Sequence, residues 1–478
     1  MIGRYKEQEY MRELLATDRA EMLAIIGRRR VGKTYMIGEV YADELVFSFT
    51  GTQDASKSNQ LKKFATKLSE YYPKNVEISK PKNWAEGFAK LKDYLLGLRK
   101  SKKKRVIFLD ELPWMASARS GFLKELTYWW NDWASKQNLL LVICGSSASW
   151  MIDRVINNKG GLHNRITAKI NLQPFTLAET KAYLLKINPA LTHYQLIQIY
   201  MAIGGIPYYL QHIKRGESAT QAINRLCFDK DGVLRTEFDN LYAALFDNYE
   251  NHVLIIKALA SKWKGLTRQE IIAYTQISDG GGLTKMLTEL VASSFVLEVL
   301  PYGKKKKDTL YRLVDEYSLF YLSYIEDQRA GSKDIWMHQE STHQYAIWRG
   351  YAFENICIKH AEAIKTALGI SGIKTNISSY LSKEPSTNEV IQIDMLIDRA
   401  DNAINICEMK FYNAELTITA DMAKKLRGRR AKFVEATRTK KAVYNTLVTT
   451  YGLERNAHNY SEIDSAINMD ALFELESF

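Results

Sequence analysis

Cysteine, proline and long apolar runs are what this chain has least of. Four cysteines, Cys144, Cys227, Cys357 and Cys407, stand far apart without CxxC spacing, which excludes a disulfide framework or zinc site and leaves reduced, buried thiols. With 8 prolines in 478 residues and aromatics at 11%, the composition excludes a disordered polymer, because enough apolar surface exists to offset chain entropy. The longest uncharged apolar stretches, such as Leu139 to Cys144, fall far short of the roughly 20 residues that cross a bilayer. The first residues, Met1-Ile2-Gly3-Arg4-Tyr5-Lys6-Glu7, are charged and lack the apolar segment of a secretory signal. A cytoplasmic protein without membrane association is expected.

What is present is length and positive charge. A chain of 478 residues exceeds what one core can serve, so two to four domains are expected. Lys and Arg number 66 against 54 Asp and Glu, a formal charge of +12. The excess clusters at Arg99 to Arg105, at Lys304 to Lys307 and at Lys424 to Arg430. Such runs suit a polyanion, although a single run is more often a solvated face.

From Leu23 to Cys144 short β-rich runs (Leu23 to Ile26, Leu45 to Thr50, Arg105 to Asp110, Leu139 to Cys144) alternate with helical stretches, Gln60 to Tyr72 and Trp84 to Leu98. That is the pattern of a parallel sheet covered by helices. From Thr176 to Ala243 helical periodicity takes over, broken at Gly204-Gly205-Ile206-Pro207. From Asn251 to Leu313 the order is helix, helix, Gly-rich turn, helix and hairpin, a winged-helix order. Here Thr284, Lys285 and Thr288 are expected to project outward, with Leu283, Met286, Leu287 and Leu290 inward and Lys304 to Lys307 at the hairpin tip. DNA is the expected partner of that face; the same architecture also serves as a packing module. Ser332 to His343 is polar, a linker. Beyond it a helix around Gly350 to Leu368 precedes two strands, Glu389 to Asp398 and Ile404 to Phe411, and then more helix.

Gly27-Arg28-Arg29-Arg30-Val31-Gly32-Lys33-Thr34 fits the G-x-x-x-x-G-K-[ST] phosphate loop, between a strand and a helix as the chemistry requires. Its backbone N–H groups would ring phosphate oxygens, Lys33 would add charge, and the Thr34 hydroxyl would hold Mg²⁺. Val106 to Glu111 is an apolar strand ending in two carboxylates. Asp110 would hold Mg²⁺, and Glu111 would align the attacking water. These residues resemble the AAA+ superfamily, in particular prokaryotic ATPases near the STAND and archaeal ATPase families, over about Met1 to Ala330. The resemblance implies ATP and Mg²⁺ as cofactors. It further implies an adenine-side segment at Ile2-Gly3-Arg4, a γ-phosphate sensor at Ser147 in Gly145-Ser146-Ser147, and a catalytic arginine at Arg165 in Gly161-Leu162-His163-Asn164-Arg165. A nucleotide-closing lid motif that includes Pro207, and a possible homo-oligomer or partner protein, complete what it implies.

In the last domain a hairpin closed between Asp398 and Ile404 puts Asp394 opposite Glu408 and Gln392 opposite Lys410, all on one face. Like charges set opposite each other ask for a compensating cation. Asp394 followed by Glu408-Met409-Lys410 resembles the PD-(D/E)xK nuclease signature, with Ile393 where that motif expects proline. The resemblance implies that Asp394 and Glu408 bind Mg²⁺, that Lys410 orients water against a phosphodiester, and that Glu354 on the preceding helix supplies a further acid.

The expected fold class is α/β: a P-loop NTPase parallel sheet with a helical lid, a winged helix, and a C-terminal restriction-endonuclease-like α/β domain. The expected boundaries are 1–175 for the ATPase core, 176–245 for the lid, 246–330 for the winged helix, 331–344 for the linker and 345–478 for the nuclease-like domain. Three functions fit: ATP hydrolysis regulating a Mg²⁺-dependent nuclease on DNA, an ATP-driven switch that binds DNA or a partner without cutting, and a platform that binds ATP with little turnover.

Overall fold

Strands buried on both faces read as unbroken apolar runs, and β1 (Glu21–Ile26) and β4 (Leu139–Gly145) are buried at every position. With β2 (Leu45–Thr50), β3 (Arg105–Asp110) and β5 (Ala168–Asn171) they form an all-parallel sheet of order β2-β3-β4-β1-β5. The edge strand β5 lies outside the four expected runs. It has four residues whose burial alternates, so it leaves no apolar run to read. Helices Lys57–Tyr71 and Trp84–Gly97 start at Ser56 and Asn83, whose side chains accept from Asn59 N and Glu86 N. On this side of the sheet Phe47, Phe64, Trp84 and Phe122 interlock edge to face.

The computed structural model describes residues 1–72, 76–117, 119–157, 161–162, 164–246, 248–327, 336–383 and 390–474. The expectations falling on His163, on Glu389 and on 331–335 lie outside the described residues. The chain divides into two compact units, Met1–Gln173 and Pro174–Phe478.

In the second unit, helices Leu177–Ile187, His193–Ile203 and Ala219–Cys227 each open with a reciprocal capping box, at Thr176 with Glu179, Thr192 with Gln195, and Ser218 with Gln221. The Gly-Gly break follows the second of these. Phe175 N donates to Gly205 O at 2.6 Å, and a Cβ at Gly205 would meet Phe175 O at 2.0 Å, so only glycine permits this approach. Pro207 opens the short helix Pro207–Leu210.

Residues 250–313 comprise helices Glu250–Ser261, Arg268–Thr275 and Gly281–Ala292, with β6 (Leu266–Thr267), β7 (Val296–Val299) and β8 (Leu310–Leu313) in an antiparallel sheet of order β6-β8-β7. Leu283, Leu287 and Leu290 are buried while Thr284, Lys285 and Thr288 are exposed, the division a one-sided helix gives.

The C-terminal module begins with helix His343–Lys359. Its sheet has the order β13-β12-β11-β10-β9, formed by β9 (Thr375–Lys383), β10 (Val390–Arg399), β11 (Ala403–Lys410), β12 (Ala442–Thr449) and β13 (Ser465–Ile467). β9, β10 and β11 run antiparallel, and β11, β12 and β13 run parallel, with helix Ala420–Thr437 between β11 and β12.

The polar stretch expected as a linker is not a free tether over its described part. Trp336–Ser341 is a 3₁₀ turn, and Trp336 is 2% exposed. Its ring lies parallel to Phe228 at 5.8 Å and edge-on to Phe320, Tyr324, Tyr345 and Trp348. One buried aromatic thus joins the helical segment to the C-terminal module within one unit. Replacing Trp336 with Ala is expected to cost about 3–5 kcal/mol. Denaturant titration of the full chain, followed by near-UV circular dichroism, would show the lowered midpoint.

Candidate functional site

Parallel pairing of β1, β3 and β4 aligns their C-terminal ends: Ile26 stands beside Gly145, and Leu109 beside Ile143. The phosphate loop leaves β1 at Gly27, where φ is 148° and a Cβ would meet Leu172 O at 2.4 Å. Arg28 and Val31 are buried, and Arg29 and Arg30 are half-buried. Gly32 caps helix Lys33–Val40. Lys33 is buried, and its ammonium donates to Gly27 O at 2.7 Å and Arg28 O at 2.9 Å. Burial pulls its pKa below the usual lysine value, against the opposing pull of Glu111 and Asp110.

Three donors fix the Asp110 carboxylate. The Thr34 hydroxyl donates to Oδ2 at 2.8 Å, while the Cys144 thiol and the Glu111 N–H donate to Oδ1 at 2.6 and 2.9 Å. Cys144 is fully buried, and burial together with the nearby Asp110 charge raises its pKa well above the ordinary thiol value. It is a neutral donor. Glu111 sits in the left-handed region, φ 50° and ψ 53°, a conformation that costs a non-glycine residue about 1–3 kcal/mol. Its Oε2 accepts from Ser146 N at 3.0 Å and Ser146 Oγ at 2.9 Å.

The serine in contact with the acid pair is therefore Ser146. Ser147 is half-buried and precedes helix Ala148–Met151 without a side-chain cap bond. Extending the β3 and β4 register past Leu109 and Ile143 by one residue sets Asp110 beside Cys144, and by two sets Glu111 beside Gly145, the residue before Ser146. Arg165 donates through Nε to Asn131 Oδ1 at 3.0 Å, so its guanidinium is engaged on the end of helix Phe122–Asp132. Pro207 belongs to the second unit.

The second unit gathers a different set of charges. β10 and β11 pair from Asp398 with Ile404 to Met395 with Cys407, so Asp394 and Glu408 come next, on one face of the sheet with Gln392 and Lys410. Gln392 Nε2 donates to Asp394 Oδ1 at 2.9 Å, and Lys264 Nζ lies 3.7 Å from that oxygen. Glu408 Oε1 pairs with Lys410 Nζ at 2.7 Å, and its Oε2 pairs with Arg429 of helix Ala420–Thr437. Burial pushes the Glu408 pKa up, but Arg429 and Lys410 together bring it below the ordinary value. Glu354 projects from helix His343–Lys359, with Oε2 3.7 Å from Arg312 Nη2. Burial and the Asp394 charge push its carboxyl up to about 8 despite Arg312 and Lys264.

Among the described residues, no group of three or more His, Cys, Asp or Glu side chains is set to hold a metal ion. The acids Asp394, Glu408 and Glu354 face cations in this arrangement. Lys264 and Arg312 were not expected here, because they come from segments far away in sequence, whereas Arg429 belongs to the basic run Lys424 to Arg430 just after the strands. Much of the basic excess is likewise absorbed. Lys104 is buried and donates to Leu14 O and Arg19 O at 3.0 and 2.7 Å. Arg427 pairs with Glu462, and Arg430 with Asp464 at 3.4 Å. The tip Lys304 to Lys307 is exposed throughout. Among the described residues no helix is long and apolar enough to cross a membrane.

Residues 1–213 match the family of ATPase domains predominantly from Archaea. An uncharacterized protein of Methanocaldococcus jannaschii is 26% identical over 361 residues, 74% of this chain and 76% of that one. Among solved structures, the chain is similar to a Walker-type ATPase of Pyrococcus abyssi (TM-score 0.49, 18% identity, 67% of this chain and 96% of that one). It is also similar to the ORC2 protein of Aeropyrum pernix in ADPNP–ADP complexes (TM-score 0.38, 15% identity, 67% of this chain and 92% of that one). Residues 1–213 are thus an archaeal-type ATPase domain, and the chain is an ATP-hydrolysing enzyme. Hydrogen bonds to charged groups contribute about 1.5–3 kcal/mol. Ser146→Ala, which leaves only the backbone N–H on Glu111, is expected to lower kcat for ATP hydrolysis by about tenfold with KM unchanged, measured by phosphate release.

Proposed function

We propose that ATP hydrolysis by the first domain regulates a Mg²⁺-dependent nuclease-like centre in residues 343–474 that acts on DNA, with residues 250–313 as a DNA-contacting winged helix. The observation that carries this reading is the convergence of Asp394, Glu408 and Lys410 on one face of two neighbouring strands, beside Glu354. The donor set is all carboxylate oxygen, the chemistry a hard divalent cation takes. Glu354 Oε2 is buried without a hydrogen-bond partner and faces Arg312 Nη2 at 3.7 Å. Asp394, Glu408 and Glu354 would hold Mg²⁺, which when bound polarises a phosphodiester and activates water. Lys410, which ends β11 on the same face, would orient water against the phosphodiester.

At the nucleotide site, Thr34 and Asp110 are the oxygen donors that would hold the Mg²⁺ of Mg-ATP, and Glu111 takes the role of aligning water. Lys33 charges the phosphate cradle, Ser147 and Arg165 serve as sensor and arginine of the γ-phosphate, and Pro207 belongs to the lid. For DNA, the face made by Thr284, Lys285 and Thr288 with the Lys304 to Lys307 tip supplies a recognition helix and a basic wing; Lys285 is 73% exposed. The same reading keeps the protein in the cytoplasm, where ATP and DNA meet.

A second reading, an ATP-driven DNA-binding switch that does not cut, is favoured by Arg429, Lys410 and Lys264 standing on the acids. Supercoiled plasmid incubated with the full chain and Mg²⁺ or Mn²⁺, with and without ATP, separates the two. Nicking is expected, and Asp394→Asn or Lys410→Ala should abolish it. Glu111→Gln is expected to slow phosphate release at least about 100-fold and to remove the nucleotide dependence of nicking. Nicking by both C-terminal variants at the wild-type rate would reject the centre, whereas nucleotide-dependent DNA retention without nicking would select the switch.

A further inference from the structure

Residues 250–313 reach directly into the acidic centre of the C-terminal module. Trp263 and Lys264 lie in the turn between helix Glu250–Ser261 and β6. The Trp263 ring stands edge-on to Tyr351 at 4.6 Å, and the Lys264 ammonium lies over the same ring at 5.7 Å while facing Asp394. From β8, Arg312 donates through Nε to Asn355 Oδ1 at 2.5 Å, and Asn355 Nδ2 donates back to Leu313 O at 3.2 Å. Arg312 is 3% exposed, yet its Nη2 and the facing Glu354 Oε2 each lack a hydrogen-bond partner. At the hairpin, Tyr302 N donates to Ser379 O at 2.7 Å and the Tyr302 ring packs on Phe433 at 5.7 Å.

Asp394 and Glu408, both partly desolvated, require counter-charges, because a buried charge without one costs several kcal/mol, and the buried Glu354 needs one once its proton is lost. Lys410 and Arg429 belong to the module itself and serve Glu408. For Asp394 and Glu354 the counter-charges are Lys264 and Arg312, both supplied by the preceding segment. Two positive charges from the preceding segment therefore stand where one divalent cation would. Arg312 is too buried to retreat by rotamer change alone, so making room for an ion on the Glu354 side means moving the arm.

We propose that a divalent cation and the segment 250–313 compete for Glu354 and Asp394, so that docking of this segment and loading of the acidic centre are antagonistic. The proposal rests on the metal-binding reading given above. Linkage makes the antagonism reciprocal: the factor by which docking weakens the ion is the factor by which the ion weakens docking. A DNA-contacting arm that swings away would thereby arm the centre, and one that returns would disarm it.

The test uses the full chain without nucleotide, with Mn²⁺ as probe, bound ion counted by electron paramagnetic resonance and hydrogen exchange followed at the Tyr302 amide. Lys264→Met removes the charge but keeps the stem on Tyr351. It is expected to tighten Mn²⁺ by about tenfold, within the usual range of coupling between sites. Mn²⁺ is expected to speed exchange at the Tyr302 amide in the wild type, and Asp394→Asn to remove both the bound ion and that effect. Lys264→Met binding Mn²⁺ no more tightly than wild type, while Asp394→Asn still loses it, overturns the competition and leaves the metal reading standing. Asp394→Asn binding Mn²⁺ as the wild type does, or none of the three binding it, overturns the metal reading and the competition with it.

Discussion

Side-by-side parallel alignment of β1, β3 and β4 is the constraint on which the nucleotide site depends. Each strand must run the same way and stop at the same level for Gly27, Asp110 and Cys144 to become neighbours. Parallel strands are joined by crossovers rather than tight turns, so every functional residue of this edge is separated from the next by a helix-containing excursion through the core. The interlocked aromatics around Phe64 and Trp84 belong to that excursion. Their packing covers the same sheet in which the β3–β4 pairing sets Asp110 beside Cys144.

The second unit solves a different electrostatic problem. Opposed acids on adjacent strands repel, and the module meets this with cations drawn from several elements, most of them arginine or lysine side chains that bring long apolar stems with them. This is why the chain's basic character overstates its free positive surface. Arg427, Arg429 and Arg430 are committed to Glu462, Glu408 and Asp464, and Lys104 is tied to backbone carbonyls.

Legibility in the sequence follows these physical differences. The phosphate loop could be read because its glycines, lysine and hydroxyl must sit at fixed spacing between a strand and a helix. The facing of Asp394 and Glu408 could be read because one pairing in an antiparallel hairpin determines all the others. β5 and β9 could not: β5 is short and half-exposed, and β9, Thr-Asn-Ile-Ser-Ser-Tyr-Leu-Ser-Lys, is nearly as polar as a loop. The choice between Ser146 and Ser147 turns on one residue of register in strands that are not neighbours in sequence. Trp336 sits alone in a polar stretch, and nothing local announces that five rings from elsewhere enclose it. Lys264 and Arg312 were invisible for a related reason, since the acids they meet lie some forty to one hundred and thirty residues further along.

The bond from Tyr302 to Ser379 falls on β9, the outermost strand of its sheet. An outermost strand carries unspent amides and carbonyls that will zip onto any extended neighbour. Wherever the hairpin lifts away, it uncovers an adhesive rim, and the nearest source of a matching strand in a concentrated solution is another copy of the same polypeptide. A hairpin that came unlatched from Ser379 would leave that edge open to pairing with a second copy.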